Sequence, residues 1–460
     1  MAGDGVDNDC DGVSPVCGPW GERKMSVADA WFHGELADDD AGRSVAFVGA
    51  VDGDGLDDWA VGVTGNDRGA TDGGSVFLFG GDAVDEMTAA TAAARVSGGT
   101  ASDHLGWAIA GAGDVDGDGL GEILIGAYDA NSGGIDAGAV YLLGGGLSGT
   151  ESVGSARLTV LGSAAYDIAG YALDADRDVD GDGVGDLAIG APYEDSAGNR
   201  AGAVYLVDGT RTGTMDTSAA DAIRTGEIAL DRAGSGVALV GDLDGDGFGE
   251  WMVGAWGNST VGPRSGAVYV EFGPLLGPSS LASADTKWLG VRTGDRAGLA
   301  VSAAGDVDGD GLADALVGAP YATAAYLVGS DTGVLSLSSA TATFTQEVAS
   351  SRLGTSVSGG GDIDGDGFAD VVLGAPNATV TTPSTGAAYV LRGPLSGTVL
   401  VADADGALRG GVANDYAGTS VSNRGDVDSD GLSDVLVGAV GSDDGGAASG
   451  SAWLFLGTTP

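Results

Sequence analysis

The feature that most constrains this chain is a nine-residue acidic pattern that occurs seven times at nearly constant spacing. Its fullest form is Asp114-Val115-Asp116-Gly117-Asp118-Gly119-Leu120-Gly121-Glu122. Carboxylates at positions 1, 3, 5 and 9, with a backbone carbonyl at position 7, suit a hard cation that takes several oxygens at about 2.3–2.6 Å. The glycine at position 6 lets the chain turn sharply enough to wrap the ion. The pattern therefore reads as a calcium loop used as a structural unit.

Complete carboxylate sets stand at Asp114, Asp116, Asp118 and Glu122; Asp178, Asp180, Asp182 and Asp186; and Asp242, Asp244, Asp246 and Glu250. Three more stand at Asp306, Asp308, Asp310 and Asp314; Asp362, Asp364, Asp366 and Asp370; and Asp426, Asp428, Asp430 and Asp434. The position-7 carbonyls belong to Leu120, Val184, Phe248, Leu312, Phe368 and Leu432. The first copy keeps Asp52, Asp54 and Asp58 but has Ala50 at position 1, so weak binding or none is expected there.

A single copy would read as a solvated acidic turn, but seven copies in phase do not. An EF-hand opens in the same way, yet it needs a carboxylate at position 12 and flanking helices. Position 12 is instead Val61, Ile125, Ile189, Val253, Val317, Leu373 or Val437. Each lies in a short apolar segment bounded by glycine, which predicts a strand.

First positions fall at 50, 114, 178, 242, 306, 362 and 426, a period of 64 with one interval of 56. Each period holds four apolar segments, A to D, seen in the second repeat at 105–113, 122–127, 139–143 and 156–161. All are too short and too rich in glycine for amphipathic helices. Four short strands repeated seven times predict an all-β, seven-bladed β-propeller with four antiparallel strands per blade. The Gly- and Ala-rich segment A suits the innermost position.

The chain stops after the seventh segment C, at Ser451–Leu456, while residues 30–36 stand where a segment D belongs. The N-terminal strand should therefore complete the last blade and protect its edge. This gives an N-terminal extension over 1–28 and a propeller over 29–460. The short interval maps to the loop between segments B and C of the fifth blade, predicting a notch near Tyr321 on the rim opposite the calcium loops.

The chain has 67 acidic and 19 basic residues, a formal net charge of -48. Most of that charge would remain with six divalent ions bound, which argues against nucleic acid and anionic membranes as partners. No apolar run approaches the roughly 18 residues that suggest a membrane helix, and the acidic N-terminus is no signal-peptide start, so any export signal is expected upstream or already removed. Cys10 and Cys17 could form a disulfide loop or remain free thiols. The linear sequence shows no phosphate loop, dinucleotide fingerprint, basic patch or nucleophile constellation around His33 and His104. A further series, Asp39, Asp103, Asp167, Asp231, Asp295 and Asp415, stands just before segment A; tight-turn capping explains it without a ligand.

The loops, the dipeptide opening segment A and the Gly-Ala-Pro at 190–192, 318–320 and 374–376 resemble the FG-GAP repeats of integrin alpha-subunit propellers over residues 30 to 460. The residues at 3–12 resemble the end of Cys- and Asp-rich metal-binding repeats of secreted bacterial proteins. The resemblance implies a calcium-stabilised, extracellular or cell-surface module that adheres to a protein or glycan. The aromatic of the Phe-Gly dipeptide is absent, with Ala or Leu at 41, 105, 169, 233, 297, 353 and 417. An integrin-type beta-subunit partner is therefore not implied, and a monomeric propeller is expected. Trp107, Tyr128 and Tyr171 read as packing between blades, and Trp256 and Tyr321 flank the predicted notch as candidate ligand-binding residues. A propeller lectin, a polysaccharide-active enzyme or a purely structural domain are the alternatives.

Overall fold

The computed structural model describes residues 19–81, 85–346, 350–379 and 383–459. Cys10, Cys17 and the Asp-rich stretch at 3–12 lie outside them. Each repeat forms four antiparallel strands running outward from an axis. In the third blade these are A, Ala172–Arg177; B, Asp186–Ala191; C, Ala203–Asp208; and D, Ala222–Thr225. Seven such sheets close a ring whose A strands surround an axial cavity of about 680 Å³.

Strand B is buried along its whole length because each sheet is covered on both faces. Successive side chains of a strand point to opposite faces. Leu187 and Ile189 accordingly pack with Leu124 and Val140 of the second blade, whereas Ala188 packs with Trp251 and Val253 of the fourth. The core is thus a set of layers between blades.

The signature glycines are the joints of these layers. A Cβ on Gly190 would lie 2.2 Å from the carbonyl oxygen of Gly234, which opens the next blade at φ +84°. Only two glycines permit this approach. The other blade boundaries repeat it, from Gly62 against Gly106 round to Gly438 against Gly42.

Each sheet also has a fifth strand, E, lent by the following repeat. Gly277–Ser280 leaves the fourth repeat after its strand C and pairs in parallel with Ala222–Thr225 of the third blade. A 3₁₀ turn at Leu281–Ser283 then buries Leu281 and returns the chain to its own strand D, Thr286–Leu289. Neighbouring blades are therefore laced together at their outer edges.

The ring closes by the same device. Ala30–His33 pairs antiparallel with Ser451–Phe455 as strand D of the seventh blade. Ahead of it, Gly21–Lys24 pairs in parallel with Gly406–Arg409 as strand E of the sixth. Paired structure thus starts at Gly21, earlier than residue 29, because the N-terminal stretch supplies both outer strands of one repeat. In the fifth blade only residues 320–323 join strands B and C, against 192–202 in the third, and Tyr321 is 44% exposed.

Candidate metal centres and the opposite face

The nine-residue loops join strands A and B on one face. Their fold follows from the acidic pattern itself. The Asp178 carboxylate accepts from Gly181 N at 2.6 Å and Gly183 N at 2.8 Å, bending the loop around it. Asp180 accepts from Asp182 N, and Asp182 from Val184 N, so the side chains at positions 3 and 5 form successive Asx turns. Position 9 accepts from the position-2 amide in all seven loops, from Asp58 to Val51 at 2.8 Å through Asp434 to Val427 at 2.7 Å.

These bonds draw the carboxylates of each loop together and leave a few of their oxygens without donors. Carboxylates of Asp242, Asp244, Asp246 and Glu250 lie within 4.8 Å of one another, as do those of Asp52, Asp54 and Asp58. Three more sets, Asp114/Asp116/Glu122, Asp178/Asp180/Asp186 and Asp306/Asp308/Asp314, join positions 1, 3 and 9, while Asp118, Asp182 and Asp310 are not part of them. Oxygens of Asp58, Glu122 and Glu250 are buried with no partner. Burial, and then repulsion from the other carboxylates of the loop, pushes Glu250 up to about 8 and Asp186, Asp314 and Asp434 up to about 7. Orphaned, mutually repelling carboxylate oxygens are the donor set that a hard divalent cation satisfies.

The loops also touch one another. Gly121 N donates to Ala50 O, Gly249 N to Asp178 O, Ala313 N to Asp242 O, Ala369 N to Asp306 O and Ser433 N to Asp362 O, at 2.8 to 3.4 Å. Position-7 side chains lean on the position-4 glycine of the preceding loop: Phe248 over Gly181 and Phe368 over Gly309.

Four stretches, residues 105–143, 169–207, 297–337 and 353–391, match the FG-GAP repeat. In four of its seven blades the propeller is similar to integrin alpha FG-GAP repeats. Integrin alpha-PS2 of Drosophila melanogaster is 36% identical over 161 residues, covering 33% of this chain and 11% of that protein. Integrin alpha pat-2 of Caenorhabditis briggsae is 30% identical over 231 residues, covering 46% and 18%. Human integrin alpha-IIb is 37% identical over 150 residues, covering 31% and 14%. The FG-GAP propeller thus spans less than a fifth of the length of these relatives. A solved structure, BBS1N in complex with ARL6DN, soaked with lead, covers 88% of this chain and 89% of that one at 10% identity and a TM-score of 0.43, too distant to bear on function.

The opposite face of the FG-GAP propeller is built by the loops between strands B and C and the turns that lead into strand A. The Asp series lies in those turns. The Asp231 carboxylate accepts from Ile228 N at 3.2 Å and Asn258 Nδ2 at 3.3 Å, Asp295 from Arg292 N and Asp415 from Val412 N at 2.6 Å, each buried inside its turn. Near the axis Trp107, Tyr128 and Tyr171 pack at centroid separations of 4.3 to 6.1 Å. The chain's own Arg43 sits 3.6 Å over Trp107.

Trp256 and Tyr321 lie on this face, and the structure corrects the expectation that the chain has no basic patch. Arg232 and Arg296 lie 4.4 and 4.8 Å from the Trp256 ring centre, and Arg296 and Arg352 lie 3.8 and 3.6 Å from that of Tyr321. These arginines are dispersed in the sequence and meet only when blades stand side by side. The available signal was their repeat position: Arg232, Arg296 and Arg352 each stand immediately before the dipeptide that opens strand A.

Proposed function

We propose that this FG-GAP propeller is a calcium-stabilised extracellular binding or adhesion module whose partner docks on the face opposite the calcium loops. The observation that supports it is the convergence of three or four loop carboxylates on one face, repeated around the ring, with a buried donor-less oxygen at Asp58, Glu122 and Glu250. Their repulsion opposes folding until cations bind, so ion binding becomes folding free energy. Extracellular modules bind calcium at about 10⁻⁴–10⁻³ M, an affinity that exposed surface loops such as these can supply.

Six loops carry the full ligand set and are the calcium sites of this reading; the first, lacking a position-1 carboxylate, is the weak one. With one face committed to metal, the loops of the other carry recognition, as loops on a rigid scaffold commonly do. Arg43 already occupies the aromatic cluster near the axis, so an integrin-type beta subunit offering a cation there is not the proposed partner. Equilibrium dialysis against calcium, followed by melting curves with calcium and with excess chelator, tests the scaffold. About six ions and a strong calcium dependence are expected; an unchanged melt in chelator overturns the reading.

A further inference from the structure

The arginines of the metal-free face form a continuous ladder with the aromatic rings. Arg200 and Arg232 lie 4.7 and 4.8 Å from the Tyr193 ring centre, and Arg232 also donates to the Tyr193 hydroxyl at 3.0 Å. Arg232 then shares Trp256 with Arg296, which shares Tyr321 with Arg352. The row runs from the third blade to the sixth in a chain where acids outnumber bases by more than three to one. Among the described residues, no carboxylate lies within salt-bridge distance of any rung. Asp231 and Asp295, their neighbours in sequence, are buried in turn hydrogen bonds.

Burial lowers the affinity of Arg296 for its proton, and the charges of Arg232, Arg264 and Arg352 add to that effect. Cations gathered so closely, with no counter-charge among the described residues, are a surface for anions. Each guanidinium carbon lies over a ring, and guanidinium N–H groups not already engaged, as one of Arg232 is with Tyr193, suit the bidentate hydrogen bonds that carboxylates accept.

We propose that this ladder is the docking strip for an acidic peptide segment of a partner protein, lying extended across blades three to six. The proposal rests on the reading that partners use this face. Two observations favour a peptide over an acidic polysaccharide. Arg296 and Arg352 share one ring, so they are no further apart than those two ring distances laid end to end, a limit that admits the roughly 7 Å between alternate residues of an extended chain. The same loops also expose Ile228, Leu230 and Val261, each about half exposed, which meet the apolar residues a peptide can place between its acids.

The test uses the calcium-loaded chain and a labelled peptide of alternating glutamate and valine, read by fluorescence anisotropy and by quenching of Trp256. The expected result is saturable binding that weakens with salt, and a loss of about tenfold or more in R296Q/R352Q. A peptide with glutamine in place of glutamate should lose as much. Equal binding of the glutamine peptide, undiminished binding by the double variant, or a preference for heparin over the glutamate peptide would overturn the proposal. The calcium-dependent melt separates the two readings: a peptide that fails to bind a calcium-stabilised propeller defeats the ladder alone, whereas peptide binding with a calcium-independent melt defeats the scaffold reading alone.

Discussion

The two faces of the ring come from the same seven repeats yet have diverged to different degrees. On the metal-loop face the position-9 carboxylate binds the position-2 amide in every copy, including the first, where Ala50 replaces the usual aspartate. On the opposite face the residue before strand A is Asp40, His104, Ile168, Arg232, Arg296, Arg352 or Tyr416, and all seven share the left-handed backbone, φ +52° to +61°. Geometry is held constant on both faces, whereas chemistry is held constant only on the first. A repeat whose side chains build the fold cannot vary, and one whose side chains face solvent over a fixed backbone can.

The sharpest way to break this comparison is to remove the metal. Each site at a hundredfold excess of ligand adds about 2.7 kcal/mol, so chelation should lower the melting temperature by roughly 10 °C or more, while R232Q leaves it unchanged. Comparable sensitivity of the melt to both perturbations would erase the distinction between the faces.

Deleting residues 1–38 comes next. It removes strand E of the sixth blade and strand D of the seventh, uncovering the edges at Gly406–Arg409 and Ser451–Phe455. Open edges pair with other chains. Size exclusion should show oligomers and calorimetry a lower melt; a monomer with the parent melt would show that closure does not need these strands.

A smaller effect is expected at the joints common to both faces. Gly190→Ala drives a methyl group against the Gly234 carbonyl, and crowding of this kind costs about 1–3 kcal/mol. Denaturant unfolding measures it, and a neutral result would mean that the blades can separate freely. The smallest effect is at the first loop. Ala50→Asp should add one bound calcium in a metal titration with little change elsewhere; the same stoichiometry before and after would show that position 1 does not limit that site.

The sequence made the ring legible where a rule acts locally. The calcium-type loops, the period and the closing strand at Ala30–His33 could all be read because turn chemistry and apolar runs sit within a few residues of one another. The fifth strands could not. Segments such as Gly149–Ser152 are polar, mostly exposed and paired only along one edge, so they carry neither alternation nor an apolar run. The arginine ladder was hidden because its rungs are separated by entire repeats in sequence and adjacent only across blades. The convergence of positions 1, 3 and 9 without position 5 in three loops was also not legible, since it depends on how Asp118, Asp182 and Asp310 orient within the turn.

The hydrogen bonds that run from one metal loop to the next make the rim a chain of links, and a chain is as strong as its weakest closure. Five of the seven junctions carry a backbone amide-to-carbonyl link and, among the described residues, the one between the second and third loops carries none. Where the seventh blade meets the first, the Asp426 amide instead reaches the side chain of Asp57, and the loop on that side is the one with Ala50. The covalent break in the ring, a side-chain link and the poorest cation site therefore coincide. Loss of calcium should begin at this seam and travel outward, so that the rim opens like a bracelet at its clasp, while the arginine-bearing blades on the far side are the last to loosen.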